Sequence, residues 1–170
     1  MSHDIIFQMQ IIILLGYAQI AAALCGFIGV VFVFGERSQG HLSVRDSSAV
    51  FHFMFAGLSG LFLCLLTALL LVCVADHENF VWRLANGLGG LLHVAGASRL
   101  ALESRRGETG VQRAWVMSGV GAVAGIVSLM SALGYLLNSG NLVFLLATMW
   151  SLVVTVISFI SLLMTPRIAR

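Results

Sequence analysis

The chain has 170 residues, 59% of them hydrophobic and 9% charged, with 18 glycines, one proline and a mean hydropathy of +1.02. Soluble domains carry about 45–50% apolar and about 25% charged residues, so a soluble globular domain, a disordered chain, a disulfide scaffold and a nucleic-acid binder are all excluded. Every one of the nine basic residues is arginine. What remains is a single polytopic helical membrane domain over residues 1–170 with very little mass outside the bilayer.

A helix needs about 20 mostly apolar residues to cross a hydrocarbon core of about 30 Å. Residues 11–34 meet that test first. Ser2, His3 and Asp4 in front of them carry no positive charge, so this segment is expected to stay as a span and not to be removed as a leader. Ala18, Ala22 and Gly26 recur every four residues along it, a pattern that lets helix backbones approach closely in lipid. Gln19 is its one central amide. Residues 49–75 form the second span. Asp46, Ser47 and Ser48 offer N-cap oxygens just before it, and Ala56, Gly60, Cys64 and Ala68 make a second stripe of small residues.

Residues 80–102 are weaker, because they hold Arg83, Asn86, His93 and Arg99. Arg83 and Arg99 stand near the two ends, where long side chains reach the interface, so the segment is expected to cross when neighbours surround it. The alternative is four spans plus an interfacial or re-entrant third segment. Arg83, Asn86, Gly90, His93 and Ala97 are spaced 3, 4, 3 and 4, which is one helical face. An intramembrane imidazole is costly without a partner and marks a functional candidate; Gln19 is a candidate partner.

Residues 114–137 are the fourth span, with Gly121 and Gly125 as a GxxxG pair. Asn138-Ser139-Gly140-Asn141 is a turn that folds the last two helices into an antiparallel hairpin. Residues 142–164 complete the set. Asn141, Thr148, Ser151, Thr155, Ser158 and Thr165 share one face, with Leu162 as an apolar break near the end. These hydroxyls either bond back to the carbonyl four residues earlier and pack helix on helix, or line a path for which Leu162 is the constriction.

The arginines support five spans. With five, Arg37, Arg45, Arg99, Arg105, Arg106, Arg113, Arg167 and Arg170 share one side and only Arg83 lies opposite. The positive-inside rule then puts the N-terminus outside and the C-terminus in the cytoplasm. Arg99, Arg105, Arg106 and Arg113 serve first as this topology signal, with anionic lipid head groups as their candidate ligands. Trp82 and Tyr135 are expected at the outer boundary and Trp115 at the inner one; Trp150 lies deeper and needs a partner for its N–H.

Little else carries chemistry. The acidic residues fall at ends and in loops, so a carboxylate relay lacks a second member. His52 and His93 differ in expected depth by about 10 Å at the helical rise, which does not suit paired haem ligation. Cys25, Cys64 and Cys73 show no CxxC spacing. No metal, cofactor or enzymatic motif is expected.

The stretch Gly16-Tyr17-Ala18-Gln19-Ile20-Ala21-Ala22-Ala23-Leu24-Cys25-Gly26-Phe27, with Phe80-Val81-Trp82-Arg83-Leu84-Ala85, is similar to small bacterial multi-span proteins. That resemblance implies a bacterial inner membrane and no particular activity. The expected function is a small homo-oligomeric channel or pore for ions or small solutes. Its candidate lining is Asn86, His93, Asn141, Thr148, Ser151, Thr155 and Ser158, and its packing residues are Ala22, Gly26, Ala56, Gly60, Gly121 and Gly125. The alternative is a non-catalytic integral subunit or scaffold that docks partner proteins in the bilayer.

Overall fold

A computed structural model describes residues 3–39, 44–106, 111–136 and 140–164. The described residues are all helical, apart from short turns, and contain no strand. Five helices follow in order: α1 His3–Gln39, α2 Val44–Cys73, α3 Glu78–Arg105, α4 Val111–Ala132 and α5 Gly140–Met164, with a single 3₁₀ turn, Ala75–His77, between α2 and α3. Four of them, all but α3, are long and apolar enough to cross a membrane.

α3 falls short on composition, not on length. Its 28 residues extend about 42 Å at 1.5 Å per residue. Many of its polar groups turn inward: Asn86, Glu103 and Ser104 are buried. Phe80, Leu91 and Leu102 stand outward. It is one continuous helix, packed along its length against its neighbours, and not a re-entrant hairpin. His52 pairs with Glu103, Phe55 meets Gly96 and Leu63 meets Gly89, so α2 and α3 run antiparallel. Gly121 meets Ala97 and Gly87 meets Ala132, so α3 and α4 do as well. Asn86 reaches Gly140, and His93 reaches Ala147, so α3 and α5 run parallel.

α5 is the hub. Among the described residues it touches all four other helices, whereas α1 packs only on α2 and α5, and α4 only on α3 and α5. The core follows from that arrangement: Leu14 and Ala18 of α1, Leu63, Cys64, Ala68 and Leu71 of α2, Val81, Trp82 and Ala85 of α3, and Phe144 of α5 form one buried cluster.

The closest helix contact is between α3 and α4, and glycine makes it possible. A Cβ on Gly90 would lie 2.9 Å from the Gly125 carbonyl oxygen, and one on Gly125 would lie 3.0 Å from the Gly90 carbonyl oxygen. The expected GxxxG pair is therefore an internal seam of this chain. Gly60 likewise packs on Ser151, and Ala56 lies in the interior of the bundle. Ala22 and Gly26 differ: both are exposed, and α1 buries Leu14, Ala18, Ala21 and Cys25 instead. The small-residue period of α1 is thus rotated off its buried face.

Several boundaries move. α2 starts at Val44, so Asp46, Ser47 and Ser48 lie within its first turns and do not precede it. α4 ends at Ala132, not at residue 137. Gly134 takes a left-handed φ of +87°, and the bonds Tyr135 N→Met130 O and Gly134 N→Ser131 O close the helix. This is a Schellman ending, for which glycine carries no Cβ penalty. The Arg83 guanidinium lies over Gly134, where a cation suits the negative end of α4.

Trp82 faces the interior near the start of α3. It is buried against Phe144 and donates its indole N–H to Glu78 Oε1 at 3.0 Å. Tyr135 and Trp115 are exposed.

Candidate functional site

The most polar interior runs along one face of α3. At one end, Glu103 lies buried on the last turn of the helix. His52 Nε2 donates to its Oε2 at 2.7 Å, and Arg99 Nε donates to its Oε1 at 2.9 Å. Arg99 also stacks on Phe51, 3.5 Å from the ring centroid. This group corrects the expectation that no carboxylate enters the bundle. α3 continues past Leu102 to Arg105, and that extra turn carries Glu103 onto the inner face. The spacing already held the signal, since Asn86, His93, Ala97, Leu100 and Ser104 continue one stripe with Glu103 at its edge.

From His52 a cavity of about 60 Å³ extends inward between α2, α3, α4 and α5. Polar groups reach it from His52, Ser59, His93, Trp150 and Ser151. It has room for roughly two waters at about 30 Å³ each. Trp150, for which a partner was sought, opens its indole onto this space next to Gly121.

His93 closes the inner end. Its Nδ1 lies 2.7 Å from the Gly89 carbonyl oxygen, its Nε2 lies 2.9 Å from the Ala147 carbonyl oxygen of α5, and Ser151 Oγ lies 3.1 Å from the same Nε2. Gln19 does not take part. It is exposed on α1, which makes no packing contact with α3 among the described residues.

Beyond His93 the interior is packed shut. Gly89 lies between Leu63 and Phe144, and both side chains are buried. Further on, Asn86 donates from Nδ2 to the Trp82 and Gly140 carbonyls at 2.8 and 2.7 Å. Its Oδ1, with Ser128 Oγ and Ser131 Oγ, is buried without a hydrogen-bond partner.

Thr148, Ser151 and Thr155 of α5 face the chain's own helices. Thr148 and Thr155 donate to the carbonyls of Phe144 and Ser151, four residues back, at 2.8 and 2.7 Å. Thr155 packs on Gly57 and Ser151 on Gly60. Ser158 is half-buried, and Asn141 Oδ1 accepts from the Leu142 N–H at the helix start. The outward face of α5 is Leu142, Leu146, Met149, Val156 and Ile160. Of the expected lining, the structure thus gathers His93 and Ser151 around one cavity and sends Thr148, Thr155 and Asn86 to helix contacts.

The side chains of Leu162 and Arg113, and Thr165, lie outside the described residues, as do the side chains of Arg37, Arg45, Arg167 and Arg170. Arg105 stacks over Trp115 with 5.9 Å to the centroid, and Arg106 is exposed. Among the described residues no three His, Cys, Asp or Glu side chains converge as a metal site, and the three cysteines are free. No known family matches the chain, and no curated protein or solved structure is significantly similar to it.

Proposed function

We propose that the protein is a small membrane channel whose path runs inside each chain and not along an axis shared by several. The cavity bounded by His52, Ser59, His93 and Ser151 is the observation that carries this reading, because an otherwise apolar chain places its interior charges and imidazoles there. An axis lined by α5 would meet Leu, Met, Val and Ile instead. The path enters at His52, which Glu103 holds, and the apolar collar of Leu63 and Phe144 is its gate on the far side, conducting when it is hydrated and closing when it dewets. In this reading the bundle sits in a bacterial inner membrane with the Arg-rich end, which holds Glu103, in the cytoplasm. It binds no cofactor and catalyses no reaction.

Flux into proteoliposomes tests it. The wild-type chain is expected to dissipate an imposed ion or proton gradient. Ser59→Leu, which fills the cavity, should slow that flux, and Thr155→Val, which alters only a helix contact, should leave it unchanged. Vesicles that stay tight with the wild-type protein would sink the reading.

A second reading, an integral subunit or scaffold, draws on α1. Gly26 and Gly29 have open space around them, and Ala22 and Gln19 are exposed on the same side. Small residues beside an amide suit close approach by a partner helix or a second copy. Pull-down from native membranes separates the two: a subunit brings other proteins with it, and a channel whose path lies inside one chain purifies without them.

A further inference from the structure

The two ring nitrogens of His93 both face backbone carbonyl oxygens, Gly89 O at 2.7 Å and Ala147 O at 2.9 Å. A carbonyl only accepts, so each of these contacts needs an N–H. A neutral imidazole has one. The arrangement as it stands is fully satisfied only by a ring that carries two protons, with α5 tied to α3 through Nε2–H and Ala147.

The Ser151 hydroxyl, 3.1 Å from Nε2, supplies the alternative. When the ring holds one proton, that proton stays on Nδ1 towards Gly89, and Nε2 accepts the Ser151 hydroxyl proton. The Ala147 carbonyl then keeps only its helix bond from the Ser151 N–H and faces the Nε2 lone pair at 2.9 Å, so α5 has reason to shift away from α3 at this level. A residue built only as a structural donor needs one carbonyl and no hydroxyl beside the second.

The surroundings offer no countercharge. α2 presents His52 at the far end of the cavity and Cys64 beside Thr148; α5 presents Ser151 and Trp150; α4 presents Met117 and Gly121. The nearest carboxylate on α3 is Glu103, about 15 Å along the helix at 1.5 Å per residue, and His52 and Arg99 already engage it. A proton on His93 therefore faces two carbonyl dipoles and a hydroxyl, and no carboxylate.

We propose that His93 is a reversible proton-binding site and that the proton is the species the cavity delivers to it. The assignment of the proton as cargo rests on the channel reading above; the binding site itself does not. In the step, Nε2–H passes its proton to a water in the cavity, the N–H···O contact to Ala147 is given up, and Ser151 O–H turns to Nε2. His52, which lines the other end of that space and is paired with Glu103, exchanges the proton with the outside.

The test is ¹⁵N NMR of the full chain labelled at histidine, in lipid nanodiscs, with His93→Gln to identify the His93 signals. Over the pH range in which circular dichroism shows the helices intact, His93 is expected to pass from a doubly protonated ring to a single Nδ1–H tautomer. In Ser151→Ala the neutral ring should instead show a mixture that includes Nε2–H, since nothing then donates to Nε2. A ring that keeps one neutral tautomer across the range, unmoved by Ser151→Ala, overturns the proposal. Vesicle flux separates the two claims. If His93 titrates and the wild-type vesicles stay proton-tight, the site stands and its cargo does not. If His93→Gln conducts protons like the wild type, the proton reaches the far side without this site and the delivery claim falls.

Discussion

Gly90→Ala and Gly125→Ala are each expected to destabilise the chain by about 2–3 kcal/mol, the upper part of the range for overpacking. The reason is what the added methyl meets. At Gly90 it falls 2.8 Å from Leu129 Cγ and 2.9 Å from a backbone oxygen; at Gly125 it falls 2.8 Å from Val94 Cγ2 and 3.0 Å from both a backbone oxygen and a backbone nitrogen. A side chain can rotate away, but the backbone of a packed helix cannot, so α3 and α4 must separate along the seam. Gly26→Ala and Gly119→Ala are the controls, because nothing lies within 4 Å of either position. They should be neutral or gain up to about 1 kcal/mol from helix propensity. Thermal unfolding in detergent, followed by circular dichroism, distinguishes the two pairs. Equal effects at all four positions would mean that α3 and α4 do not meet at this seam.

Glu103→Ala has the next largest expected effect, a loss of about 2–3 kcal/mol. Two donors converge on this carboxylate, and it is buried, as His52 largely is. Removing it leaves the His52 N–H facing nothing, and stranding a buried partner costs more than the net worth of the bond. Arg99→Ala should cost under about 1 kcal/mol, since its side chain is half exposed and water replaces the lost contact. A double-mutant cycle of His52→Ala with Glu103→Ala should return a coupling of about 1–3 kcal/mol. Strictly additive losses would remove the pair from the mouth of the cavity.

These two results bear on different halves of the molecule. The glycine seam tests whether α3 is held as a full member of the bundle despite its polar composition. The Glu103 cycle tests whether the end of that helix forms an organised entrance. Together they fix the geometry on which both the path and the His93 site depend.

Much of the fold was legible from residue order. Apolar runs of about 20 residues, broken by short polar links, require helices in lipid, because no other open structure satisfies its backbone there. Five helices and their antiparallel succession followed from that and from the arginines. The special interest of Asn86 and His93 followed from their spacing on one face. The end of α4 falls short of residue 137 because the hydropathy runs on past Gly134 while the backbone has already turned.

The partners of each face were not legible. Periodicity shows that residues share a side of a helix, but it does not say what that side meets. The hydroxyls of α5 had the same spacing whether they lined water or packed on Gly57 and Gly60, and only the central place of α5 among the other four helices turned them inward. Ala22 and Gly26 had the same period as Gly121 and Gly125, yet the first pair is open and the second is a seam. His52, Glu103 and His93 lie 51 and 10 residues apart along the chain. The placing of His52 and His93 around one cavity, with Glu103 paired to His52, depends on α2 and α3 running antiparallel at a particular register, a long-range contact that no local pattern encodes. Composition and order thus establish a helical chain suited to the bilayer, through the cost of exposed backbone in lipid. The site exists only through the packing of side chains across helices.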